Sequence, residues 1–346
     1  MKEGQFYLRF LPSRLISKPQ FATKPGSTEL FASKPSLYLL VLVISILCTF
    51  AYKVHTKSIF ACPGNGYAAG QYLAYCNADA FGDYDRGAFW FDLEPTAQRG
   101  AANAQVLFLG NSRMEFAFSS DATDNWFSAH ALRYYLLGFA YLENTVFTSP
   151  LLSKLKPQAK VYVINVDRFF SDDVRPPTRE VLHDADAVER YRQKRRWQSL
   201  HEWVCGKVPI LCGNQLSFFR FRETGAWRME GQATTFGPRS AVSDGPDTEP
   251  EQRQRYVALA EKFLSQLPVE RRCIILTIAP YVGTKLAEAK AIASALGLDL
   301  VVPQVNGLET FDTSHLERAS AERWSTAFFQ TAGPRILECL DAPKKS

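Results

Sequence analysis

The sequence predicts an α/β protein with a mainly parallel sheet, held behind a single transmembrane helix. Three observations carry that expectation. Short apolar runs bounded by turn residues alternate with longer amphipathic stretches, the pattern of buried strands and covering helices. An uncharged apolar run follows a basic tail near the N-terminus. Six of the seven cysteines fall after that run, on one side of it.

The apolar run is Ser36–Tyr52 (SLYLLVLVISILCTFAY), which lies inside an uncharged gap between Lys34 and Lys53. At 1.5 Å per residue it is near the lower limit for a span, and it has no polar face. Residues 1–35 carry six bases against two acids, so the positive-inside rule places them in the cytoplasm and everything after Lys53 outside it. A cleavable signal peptide is the rival reading, but a tail of this length is too long for the usual n-region. A buried core helix is the other rival. The rest of the chain is nearly neutral, which gives no electrostatic argument for nucleic acid. With 46% hydrophobic residues and 25 Phe, the 346-residue chain has ample core material and is not a disordered or low-complexity protein.

The outer cysteines are Cys62, Cys76, Cys205, Cys212, Cys273 and Cys339. An even number in an oxidising compartment suggests disulfides, with 15 possible pairings. Proximity favours Cys62–Cys76 and Cys205–Cys212, leaving Cys273–Cys339. Six buried thiols are the alternative. No Cys-x-x-Cys or Cys/His cluster offers a zinc site, and no cofactor motif is present.

Residues 53–104 read as a stalk and lead-in. Strands are expected at 105–109 (QVLFL), 160–166 (KVYVINV), 272–278 (RCIILTI) and 298–302 (LDLVV). Helices are expected at 124–137, 142–155, 249–267, 281–296 and 319–340, the last interrupted at Gly333-Pro334. Residues 168–250 break the alternation and read as a cap insertion, with a charged helix around 178–203 and Trp227 and Phe236 available to stack on sugars.

Two blocks carry chemistry. In the first, Gly110-Asn111-Ser112 follows the first strand, where a serine hydroxyl sits at the sheet rim and Gly110 allows a sharp turn. In the second, Asp312-Thr313-Ser314-His315 brings an acid within reach of a histidine Nδ1, the arrangement a general base needs. In parallel sheets, sites form outside the C-terminal strand ends.

In order and fold these blocks resemble the SGNH (GDSL-type) hydrolase superfamily over residues 104–335, with Asn111 where that family usually has Asp. The resemblance implies a three-layer αβα domain across 105–340. It implies Ser112 as nucleophile, His315 as base and Asp312 as its orienting acid. It implies an oxyanion hole from the Ser112 and Gly138 N–H groups and from an asparagine after the next strand. Asp167 holds that position by register, so Asn165 or Asn111 would substitute for it. Asn111, Arg113 and Asp167 are candidate substrate-binding residues. The LGNSRMEFAFS block looks most like membrane-anchored SGNH-like proteins of bacterial envelopes, which act in O-acylation of exported polysaccharides. The expected function is therefore periplasmic acyl transfer or ester hydrolysis on an envelope glycan or lipid-linked sugar from an acyl donor, without cofactor or metal. The alternative is a silent glycan-binding or scaffold subunit beside a multi-pass acyltransferase.

Overall fold

A computed structural model describes residues 35–56, 59–79, 81–231, 239–244 and 249–341. The basic tail and Phe236 lie outside the described residues. The chain divides into two compact units, Met1–Lys53 and Val54–Ser346. Helix α1 (Pro35–Thr56) presents exposed apolar side chains from Leu37 to Leu47. Side chains of α1 are described to Thr49 and at Tyr52, and among the described residues no helix is long and apolar enough to cross a membrane.

The second unit opens with β1 (Gln71–Cys76), β2 (Gly82–Asp83), α2 (Asp85–Trp90) and α3 (Pro95–Asn103). Then come β3 (Val106–Asn111), α4 (Ser112–Phe118), α5 (Asp121–Ala129), β4 (Tyr134–Phe139), α6 (Thr145–Leu155) and β5 (Val161–Asn165). The middle stretch holds α7 (Pro176–His183), α8 (Ala187–Lys207), β6 (Ser217–Phe221), β7 (Trp227–Glu230), β8 (Arg239–Ser240) and β9 (Val242–Asp244). The chain ends in α9 (Pro250–Leu264), β10 (Ile274–Thr277), β11 (Tyr281–Thr284), α10 (Leu286–Leu296), β12 (Glu309–Thr310) and α11 (Arg318–Asp341).

The central sheet runs β10-β5-β3-β4, and all its pairs are parallel. Its strands are continuous apolar runs because both faces are covered. One face packs with α2, α3, α6, α9 and α10. The other packs with α4, α5 and α11 through Phe108, Phe118, Trp324 and Phe328. Phe118 lies 4.9 Å from Phe328 and 5.2 Å from Trp324, ring to ring, so α4 and α11 are held together by aromatic packing.

Several elements depart from the sequence reading. Residues 134–139 form strand β4 rather than the end of a helix. Helix α5 stops at Ala129, Ala131 takes a left-handed conformation, and the fully buried YYLLGF run then pairs with β3. Residues 298–302 make only a single parallel bridge, Leu300 to Leu276. The Val301 carbonyl there meets the Thr277 hydroxyl at 2.8 Å, and Pro303 offers no N–H to extend a ladder. The supposed stalk is folded from residue 71 onward. Strand β1 is almost wholly buried and pairs antiparallel with β6, so this lead-in and the stretch 168–250 build one sheet, β2-β1-β6-β7. Helix α11 runs unbroken through Pro334. Three disulfides join Cys62–Cys76, Cys205–Cys212 and Cys273–Cys339.

The two sheets meet at the outer edge of β4. Arg220 of β6, fully buried, donates to the carbonyls of Leu136 (2.6 Å) and Gly138. Its charge is met by Asp85 at 2.7 Å, and the Glu115 carboxyl lies beside it at 3.2 Å. A second buried arginine, Arg86, pairs with Asp83 and Glu143 and donates to the Ala140 carbonyl. Removing one partner of such a buried pair leaves the other charges uncompensated. Arg220→Met should therefore destabilise the protein by about 3–5 kcal/mol, measured by urea unfolding. A loss below about 1 kcal/mol would contradict this account.

Candidate functional site

The turn that carries Ser112 is built by two constraints. Strand β3 ends at Asn111, whose side chain accepts from the Arg113 N–H at 3.0 Å and caps α4. Ser112 is then the first residue of the helix, at the C-terminal rim of the sheet. Gly110 is needed for close approach rather than for a turn. It lacks a positive φ, and an added Cβ would stand 2.9 Å from Met114 and 3.0 Å from Asn165.

His315 arrives from the other end of the chain. Its Nε2 lies 2.8 Å from Ser112 Oγ, across a separation of 203 residues. Its Nδ1 lies 2.6 Å from Asp312 Oδ2. Asp312 Oδ1 accepts the N–H groups of Ser314 (3.0 Å) and His315 (2.8 Å), which closes the turn and fixes the carboxylate. Burial alone would raise the Asp312 carboxyl. The hydrogen bond and charge of His315, with the two backbone N–H groups, outweigh that and hold it below its ordinary value. The His315 ring sits between Phe116 (4.7 Å) and Phe311 (5.7 Å, stacked). Four non-glycine residues with positive φ stand in loops at or near this rim: Tyr141, Leu142, Arg168 and Thr313. Such strain concentrates at functional sites.

Asn111, Arg113 and Asp167 bind one another. Arg113 pairs with Asp167, stacks 3.6 Å over the Tyr281 ring, and donates from Nε to Ser314 Oγ at 3.0 Å. Asp167 also accepts from Asn111 Nδ2 at 3.3 Å and from the Tyr281 hydroxyl at 3.2 Å. These side chains tie the residue after Ser112 to the residue before His315. Each of the three side chains already has a partner within the protein.

The Gly138 N–H is already engaged. On β4 the residues 136 and 138 point to the outer edge: the Leu136 N–H donates to Thr224 O at 2.8 Å, and both carbonyls go to Arg220. The Gly138 N–H is held at 2.7 Å by Glu115 Oε1. Asn165 behaves differently. Its Oδ1 accepts the Ala279 N–H at 2.9 Å, while its buried Nδ2 has no partner. It packs against Gly110 and continues the sheet face of Val161 and Val163, the face that carries α4 and α11.

Sequence reasoning missed Phe116, Phe311, Glu115, Arg220 and Tyr281. Phe116 was within reach, since it lies four residues after Ser112 and so shares its helix face. Glu115, three residues after Ser112, and Phe311, beside Asp312, were also within reach, whereas Arg220 and Tyr281 come from segments distant in sequence. His201 stands close to Cys205 and Cys212, within 4.8 Å by ligand atoms, a cluster the sequence did not show. The two sulfurs are joined to each other.

No family model matches the chain, and neither a curated protein nor a solved structure matches it.

Burial pushes the Glu115 carboxyl up from its ordinary 4.5 to about 8, against the opposing pull of Arg220 and the Gly138 N–H. A raised value means that the folded state binds the proton more tightly. The resulting stabilisation is complete below pH 4.5 and is lost as pH rises through about 8. Glu115→Gln mimics the protonated form. Its stability relative to wild type should rise by about 1–3 kcal/mol across that window, seen in melts at stepped pH. A pH-independent difference would contradict the assignment.

Proposed function

We propose that the chain is a serine acyl-transfer enzyme of SGNH type, acting through an acyl-enzyme on an ester of a sugar or other alcohol. The observation that carries this reading is the continuous contact Ser112 Oγ–His315 Nε2–Asp312, with both bonds under 3 Å. His315 takes the Ser112 proton as Oγ attacks the ester carbonyl. The tetrahedral intermediate collapses when His315 returns that proton to the leaving alkoxide. Water or an acceptor hydroxyl then attacks the acyl-serine by the same route in reverse. Ser112 N–H and the unpartnered Asn165 Nδ2 would hold the oxyanion. Gly138 takes no part in it.

The proposal includes anchoring through Ser36–Tyr52, with the domain outside the cytoplasm and residues 168–250 serving as a cap. The three disulfides support an extracytoplasmic domain. An envelope glycan or lipid-linked sugar is the substrate class that anchoring favours, and the resemblance adds a multi-pass acyltransferase as partner. A reporter fused near residue 340 should be active only when exported. Activity confined to the cytoplasm would refute the topology.

One observation favours the second reading, a catalytically silent binding or scaffold subunit. The Gly138 N–H is committed to Glu115 and Asn111 to Asp167, which thins the oxyanion hole. A fluorophosphonate probe decides between the two. Labelling of Ser112 supports the enzyme, and an inert, folded protein supports the silent module. If active, Ser112→Ala should lose on the order of 10³-fold or more in kcat.

Arg113→Lys keeps the charge but loses the planar stack and the fork geometry. The expected result is a fall in kcat of roughly 10–100-fold with KM little changed. A change confined to KM would instead make Arg113 a substrate ligand.

A further inference from the structure

A cavity of about 310 Å³ lies between the lead-in strand, α3 and α8. None of the catalytic residues lines it. Its wall is polar and its charges balance. Arg222 is neutralised by Glu94 at 2.8 Å and lies 5.4 Å over the Tyr72 ring. Arg195 and Glu202 stand in the same lining with opposite charges.

One group in this lining is out of place. Gln71 is only 4% exposed, and neither its Oε1 nor its Nε2 has a hydrogen-bond partner. A buried carboxamide left with both atoms unsatisfied is costly and uncommon. Its neighbours do not relieve it: Arg222 bonds the Gln71 backbone carbonyl instead, and the Tyr72 hydroxyl goes to Asp85.

The missing partner must both donate and accept. An anion cannot donate to the Gln71 oxygen and would meet no net positive charge. An apolar ligand would leave the amide unsatisfied. A neutral polyol does both. Its hydroxyls match the amide, Glu94 and the remaining Arg222 and Arg195 donors, and its C–H face can lie on Tyr67. The volume sits at the lower end of small-molecule sites, enough for one or two sugar rings.

We infer that this cavity is a binding site for a neutral sugar, separate from the Ser112 centre. It would hold a glycan chain by a ring remote from the reacting one. The inference stands whether or not Ser112 is catalytic.

The test is saturation-transfer NMR on the full-length protein in detergent, with D-glucose and N-acetyl-D-glucosamine as neutral probes and D-glucuronate and sulfate as charged ones. A neutral sugar should bind saturably, with Kd on the order of 1 mM. Thr96→Trp, which fills the rim from an exposed position, and Gln71→Leu should each weaken binding at least about tenfold. Thr96 lines this cavity and is no part of the Ser112 centre, so a loss of binding in Thr96→Trp separates this site from the acyl-transfer proposal. The inference is overturned if neither neutral sugar binds, water alone then satisfying Gln71. It is also overturned if only the anions bind, or if folded Thr96→Trp binds as well as wild type.

Discussion

The fold depends on one buried cation. Strand β4 ends the central sheet, and an unpaired strand edge exposes carbonyls that must find donors. Arg220 supplies them, taking Leu136 and Gly138 while also holding the Gly225 carbonyl of its own hairpin at 3.0 Å. A guanidinium this deeply buried needs compensating charge. Asp85 from the lead-in provides it, and the Glu115 carboxyl from the serine's helix stands beside the guanidinium. Three segments distant in sequence are therefore bound to one side chain. This explains why residues 71–103 are integral to the domain rather than a stalk.

The same interaction reaches the site. Glu115 sits one turn beyond Ser112, and its carboxyl bridges Arg220 and the Gly138 N–H. The serine's helix is fixed from behind by these contacts, and from the front by Arg113, which joins it to Ser314 and Asp167. Along its length the aromatic packing of Phe118 against α11 sets its distance from the segment that carries His315. With these three constraints in place, a 2.8 Å contact between residues 203 apart follows from the packing.

The legible parts of the sequence were those governed by local patterns. The runs QVLFL and KVYVINV read as buried strands, and Gly110-Asn111-Ser112 follows the end of the first, where the structure places the serine. The pairing of cysteines followed from separations of 14 and 7 residues. What failed was set by tertiary contacts. YYLLGF has a strand's composition, yet it abuts α5 without a glycine or proline break, so helical spacing runs into it. Strand β1 is recognisable only once β6 is its partner, 146 residues away from Gln71 to Ser217 in sequence. Gly138 was chosen by type and position, but alternation along β4 turns its N–H outward, and only pairing register reveals that.

That reversal bears on how the centre can work. A donor contributes to catalysis only if it points at the forming oxyanion and is not already engaged. Gly138 and Asn111 both fail on the second. Asn165 meets the second condition, and it lies under the glycine that brings β3 and α4 together. Substituting Gly110 would therefore disturb the serine's helix and the Asn165 side chain at once, because the missing Cβ is the space between Met114 and Asn165. The conformational freedom usually credited to this glycine is not used here. Its role is volume, and that makes the Ser112 turn and the Asn165 side chain one mechanical unit.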